Sequence, residues 1–136
     1  MPLHRVIYVS DAVGDAATSL LILVEILGES ERNNRRDGLT GVLMRHAGQF
    51  LQAIEGSRGD VDRLLKRLRA DPRHENLRLL SDHDVPERLF AAWPMTLAEM
   101  TPDAARLLNG ATLDQLSPER AQTLLRTAVQ ALPLPA

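Results

Sequence analysis

The 136-residue chain predicts a single α+β domain, and three observations carry that prediction. Apolar residues change period along it, from two to about 3.6 and back. Glycines and prolines mark the points of change. The segments so delimited run β-α-β-β-α-β, with a further strand and a helical tail behind them. At 44% hydrophobic, a chain of this length holds one core of ordinary size.

The run 5–10, Arg-Val-Ile-Tyr-Val-Ser, is rich in β-branched and aromatic residues and reads as the first strand, closed by the polar and glycine residues at 11–14. Over 17–32, Leu20, Leu23, Val24 and Leu27 recur at helical spacing, and Leu21 and Ile26 widen the stripe. This helix is expected to deliver Asn33 and Asn34 at its exit. Two extended runs, 39–45 and 49–55, flank His46-Ala47-Gly48 and predict a hairpin. Residues 60–70 set Val61, Leu64, Leu65 and Leu68 opposite a basic face, an amphipathic helix that Asp71-Pro72 stops. Strands are expected at 77–85 and 90–97; in the second, Pro94 cannot donate a ladder hydrogen bond and asks for an edge or a bulge. Thr101-Pro102 and Ser117-Pro118 each pair a capping hydroxyl with a proline at the first helical position, so two C-terminal helices follow over 101–109 and 117–131. Leu132-Pro133-Leu134-Pro135 reads as a frayed end. The fold class is therefore α+β, a ferredoxin-like β-α-β-β-α-β plan with an additional fifth strand and two helices on one face of a mixed sheet, plus C-terminal helices. Residues 1–98 read as one domain and 99–136 as a helical extension.

Charge and composition exclude several functions. Sixteen basic and 18 acidic residues leave a formal net charge of −2, too little field to hold nucleic acid or an anionic membrane. The absence of cysteine removes disulfides, thiol nucleophiles and thiolate metal sites. No run reaches the ~20 apolar residues of a membrane span and no targeting segment is visible, so a soluble, cytoplasmic protein is expected. His4, His46 and His83 are too scattered to predict a metal site, and no phosphate-cradling, dinucleotide-binding or nucleophile-elbow motif occurs. The basic faces at Arg32, Arg35 and Arg36 and along residues 63–69 read as solvated helix surface.

One side chain stands out from this background. In the second hairpin strand Gln52 shares its face with Phe50 and Ile54, and a carboxamide so placed must be satisfied inside the protein or aimed at a ligand. Several further features, in order over residues 4–97, carry a resemblance. They are Tyr8 with Ser10, the pair Asn33-Asn34, Gly38-Leu39-Thr40-Gly41, Gly48 through Phe50-Leu51-Gln52, Glu55-Gly56, Asp71-Pro72-Arg73-His74, and Phe90 followed by Trp93 and Met95. Together they resemble the BLUF domain, a flavin-binding blue-light sensor on a ferredoxin-like fold.

The resemblance implies roles. Tyr8 corresponds to the electron and proton donor and Gln52 to its hydrogen-bonded neighbour. Asn34 corresponds to the amide on the flavin ring edge, with Asn33 and Ser10 close by. Ile26 and Leu68 correspond to the apolar walls, Arg73 and His74 to the pocket lining and entrance, and Trp93 and Met95 to the two switch positions of the last strand. The cofactor implied is FAD, with FMN the alternative. Pro94 departs from the common pattern, in which Ser stands between the switch positions.

The reading that follows is a stand-alone, non-enzymatic photoreceptor. It holds flavin noncovalently, forms a homo-oligomer and signals to a separate protein partner, with no membrane and no direct nucleic-acid contact. The C-terminal helices are expected to cap the open sheet face, dimerise or dock that partner. The alternatives are a flavin-free interaction module on the same fold and a small acylphosphatase-like hydrolase. The second is disfavoured because Asp11-Ala12-Val13-Gly14 lacks that family's anion-binding loop and arginine.

Overall fold

The computed structural model describes residues 2–133. Five strands form one mixed sheet in the order β4-β1-β3-β2-β5: β1 (Leu3–Ala12), β2 (Thr40–His46), β3 (Gln49–Ser57), β4 (His74–Val85) and β5 (Thr96–Leu97). β5 runs parallel to β2, and the other pairs are antiparallel. Helices α1 (Leu20–Asp37) and α2 (Arg58–Ala70) supply the ferredoxin-like crossovers, and α3 (Pro102–Leu108) and α4 (Pro118–Val129) follow the sheet.

Side-chain alternation sorts the sheet into two faces. Val6, Tyr8 and Ile54 pack under α2 with Val61, Leu64 and Leu65, while Leu43, Phe50 and Met95 pack under α1 with Leu23. The intervening residues Ile7, Val9, Val42, Met44, Leu51 and Ala53 face the other way and meet Ala104, Leu108, Leu124 and Leu125 of the C-terminal helices. Those helices therefore cover the second sheet face, the first of the three expected uses of their apolar stripes. Thr101 and Ser117 cap them through their hydroxyls, as do Ser19 for α1 and Ser57 for α2.

Local chemistry moved several boundaries. α1 continues past Asn33 and Asn34 to Asp37, so the two asparagines lie inside its last turns. Arg35 and Arg36 suit the negative end of the helix dipole, and Gly38, at φ 69°, closes the helix in the left-handed conformation. The β2–β3 turn uses Ala47 at φ 49° and Gly48 at φ 78°, the positive pair of a type I′ hairpin. The last strand is far shorter than the expected 90–97, with ladder pairing confined to Val42 with Thr96 and Leu43 with Leu97. Pro94 lacks the N–H a longer ladder needs, and the amides of Leu89 and Phe90 are taken by Glu55. The frayed end expected from Leu132 onward falls partly on residues 134–136, outside the described residues.

At Gly41 the fold leaves no room for a side chain, since a Cβ there would lie 2.3 Å from the Ala53 carbonyl oxygen on β3. Gly41→Ala is expected to cost about 2 kcal/mol by forcing β2 and β3 apart. A lowered urea midpoint with unchanged slope is the readout.

Candidate functional site

The site is assembled on the sheet face that α1 and α2 cover. Tyr8 of β1 and Gln52 of β3 are direct cross-strand partners, and Leu43 of β2 stands opposite Gln52 on the other side. Period-two alternation puts all three under the helices. The Tyr8 hydroxyl donates to Gln52 Oε1, and both side chains are buried. Gln52 Nε2 in turn lies 3.7 Å from Met95 Sδ, a weak acceptor on the segment entering β5. A single carboxamide thus bridges a phenol and the edge of the sheet. Burial, and after it the negative charge of Asp71, pushes the Tyr8 phenol well above its usual range. The group is a neutral donor.

Above this pair, a narrow cleft opens between α1 and α2, lined by Tyr8, Ile26, Ser30, Leu43, Phe50, Gln52, Leu68, Asp71, Arg73 and His74. Ile26 and Leu68 supply aliphatic walls from opposite helices. His74 is held by Ser10 Oγ at 2.7 Å from Nδ1 and by the Leu68 carbonyl on the other nitrogen. A carbonyl can only accept, so Nε2 carries a proton, while the Ser10 hydroxyl can serve Nδ1 as donor or acceptor. The ring lies 6.2 Å from Tyr8 and 6.3 Å from Phe50, centroid to centroid, which braces both aromatics.

At the mouth, Arg73 reaches Asp71 at 2.6 Å and Glu29 at 2.8 Å, tying the α2–β4 connection to α1. Burial acts against the Asp71 charge, but the side-chain and backbone hydrogen bonds from Arg73 hold its carboxyl below the usual range. Both carboxylates keep Arg73 firmly charged. A phosphate arriving here competes with Glu29, the more exposed of the two.

Asn34 is fully buried on α1; its Nδ2 donates to the Pro94 carbonyl at 2.7 Å, while its Oδ1 has no hydrogen-bond partner among the described residues. A buried acceptor left so costs roughly 1–3 kcal/mol. The aliphatic walls and the bridging carboxamide match the needs of a flavin, whose ring is an apolar plate with a polar edge, and the unpaired Asn34 oxygen, outside the cleft lining, is a further buried acceptor.

Of the residues singled out from sequence, Tyr8, Ile26, Gln52, Leu68, Arg73 and His74 line the cleft directly. Ser10 stands behind His74, and Asn34 and Met95 are linked to the Pro94 segment and to Gln52 respectively. Asn33 is half-buried, and like Asn34, Ser10 and Met95 it does not line the cleft. Trp93 is on the far side: it packs with the C-terminal helices and lines a groove with Leu89, Arg126, Val129, Gln130 and Leu132. Ser30, Leu43, Phe50 and Asp71 also line the cleft and were not among the site residues expected from sequence. Helical spacing from Ile26 to Ser30 and the pleat of β2 were the available signals.

Sequence reasoning also missed a second polar cluster, on the opposite sheet face. Glu55, wholly buried, accepts from Arg5 Nε and from the Leu89 N–H at 2.8 Å on one oxygen, and from the Phe90 N–H at 2.8 Å on the other. Arg5 also donates to the Glu87 carbonyl at 3.0 Å and to Gln122 of α4 at 3.3 Å. This pair ties the segment leading to Met95, and a C-terminal helix, to the centre of the sheet.

Comparison with known proteins agrees with this geometry. The family model for BLUF, sensors of blue-light using FAD, matches residues 3–96. Photoactivated adenylate cyclase subunit beta of Euglena gracilis is 32% identical over 98 residues, which is 72% of this chain and 11% of that protein. The chain thus spans about a tenth of the curated relatives it matches. Among solved structures, the BLUF protein BlrB in its dark state is 30% identical with a TM-score of 0.78, covering 96% of this chain and 98% of that one. The photo-activated state of BlsA, at 24% identity and a TM-score of 0.86 over 98% of this chain and 99% of that one, shares the fold. A match across most of the chain, on a sheet that places Tyr8 against Gln52, leads to one conclusion: the chain belongs to the BLUF family of flavin-using blue-light sensors.

Proposed function

We propose that the chain senses blue light through the Tyr8–Gln52 pair, binds FAD in the α1–α2 cleft and passes the change through Met95 to a separate protein. The single observation that carries the reading is the cross-strand hydrogen bond from Tyr8 to Gln52 Oε1, with Met95 Sδ behind the other end of the same carboxamide. Flavin, when bound and excited, supplies the oxidising power. Tyr8 gives up one electron together with its phenolic proton, because a phenol held neutral by burial cannot ionise first. Gln52 Oε1 is the acceptor already in place for that proton. Tyr8 takes both back within the cycle, so no net oxidation remains and the lasting change is the orientation or tautomer of Gln52.

Reorganising Gln52 changes what it offers Met95, and Met95 belongs to a segment bound on both sides. Asn34 holds the Pro94 carbonyl, and Gly41 N–H donates to the Trp93 carbonyl at 3.1 Å. Pro94 therefore takes part as an acceptor, which needs no N–H. From there the route to the C-terminal helices runs through Trp93, in its groove beside Val129, and through Glu55 and Arg5 to Gln122.

Walls of Ile26 and Leu68, with Asn34 Oδ1 as acceptor, support a noncovalent flavin site, and the Arg73 mouth supports a phosphate-bearing flavin. Among the described residues no helix is long and apolar enough to cross a membrane, in keeping with a cytoplasmic sensor. A homo-oligomeric assembly belongs to the same reading.

The test is Gln52→Leu, which keeps the volume and removes both ends of the bridge. The variant is expected to bind flavin and to show no difference spectrum under blue light. A wild-type photocycle in Gln52→Leu would sink the proposal.

A further inference from the structure

The first half of α1 carries an apolar surface that the flavin reading does not use. Leu20 is 71% exposed, Leu21 69% and Val24 56%, against 40% for Val13 and Leu79, the other large exposed hydrophobics among the described residues. A helix that seats Ile26 and Ser30 in the cleft has no packing need for leucines on its outer side, where polar residues are the ordinary choice. Beside them a groove runs between α1 and the edge strand, lined by Val24, Leu27, Gly28, Glu31, Met95, Thr96 and Leu97.

We infer that this face is a homodimer interface, a two-fold contact in which α1 of one copy packs antiparallel on α1 of a second. The inference rests on the homo-oligomeric reading above and gives it a surface. The patch is complementary to itself. Leu20 and Leu21 protrude, and Gly28 is a gap one side chain deep, with only the end of the Arg32 side chain near the place of a Cβ. Eight residues separate Leu20 from Gly28, roughly 12 Å along a helix. A two-fold axis beside Val24 therefore sets Leu20 of each copy over Gly28 of the other, and Leu21 over Leu27.

Charge agrees with the antiparallel sense. Arg32 and Asp15 are both exposed, and neither forms an ion pair among the described residues. The same axis carries Arg32 to the N-terminal end of the second copy's helix, beside its Asp15, and opposed helix dipoles attract. The acidic residues Glu25, Glu29 and Glu31 on the same helix disfavour an anionic lipid surface as the occupant.

The cysteine-free chain makes the test specific, because a residue on a two-fold axis meets its own copy. Flavin-loaded full chain carrying Val24→Cys is expected to form a disulfide-linked dimer rapidly under mild oxidation, while Glu119→Cys, exposed on α4, links slowly. In sedimentation, wild-type protein is expected to shift from one chain to two with concentration, and Leu21→Glu with Val24→Glu to stay monomeric while keeping flavin and photocycle. Wild-type protein that stays monomeric at every concentration overturns the homo-oligomeric reading and the interface together. A dimer that survives the double substitution, or equal crosslinking at both cysteine positions, overturns the interface alone. A wild type that stays monomeric and co-sediments with phosphatidylglycerol vesicles through these residues overturns both and assigns the face to a lipid surface.

Discussion

Tyr8→Phe is expected to abolish the reversible red shift of the bound flavin's spectrum while leaving the flavin in place. Phenylalanine keeps the ring that packs beside His74 and removes only the hydroxyl. Without it no proton can accompany the electron, and Gln52 Oε1 loses the donor that orients its carboxamide. The chain offers no ready substitute: it has one tyrosine and one tryptophan, and Trp93 packs on the other face of the sheet. The unpaired Gln52 oxygen costs roughly 1–3 kcal/mol of stability, a modest effect beside total loss of the response. Difference spectra under steady blue illumination give the answer. A normal photocycle in Tyr8→Phe contradicts the proposed chemistry.

The largest structural effect is expected at Glu55. Glu55→Ala leaves Arg5 buried without its counter-charge and strips acceptors from the Leu89 and Phe90 amides, a loss of about 3–5 kcal/mol. Against a total stability of roughly 5–15 kcal/mol for a domain, that is enough to leave the chain partly unfolded. Glu55→Gln keeps the shape and one accepting oxygen, so it is expected to recover part of the loss. Urea denaturation of the three proteins gives the comparison. If Glu55→Ala costs no more than the ~1 kcal/mol of an exposed ion pair, the residue is not the clamp described here.

The fold was legible because its signals were local. Period-two runs and helical stripes gave the strand and helix order, and hydroxyl-proline pairs located the C-terminal helices. Tyr8, Gln52, Ile26 and Leu68 could be singled out because motif order and spacing carried a family resemblance, and alternation put Gln52 among apolar neighbours. What stayed hidden depended on contacts between distant segments. Glu55 was noted only as part of the Glu55-Gly56 motif and given no role, since its partners are distant in sequence: Arg5 lies opposite it on the neighbouring strand β1, and Leu89 and Phe90 come from a loop. The reach of the last strand was overestimated for the same reason: apolar content at 90–97 speaks for burial, which Phe90 and Met95 do have, and not for a ladder. Neither composition nor spacing says on which side of the sheet Trp93 falls.

The central claim is that a light-driven change at Gln52, set off by Tyr8, is what this chain registers. Its most direct test is the absorption spectrum of the purified, flavin-reconstituted chain before and after blue illumination. A red shift that reverses in the dark, with no loss of flavin absorbance, is the predicted result. A chain that retains flavin yet shows no shift, or one that bleaches irreversibly, contradicts it.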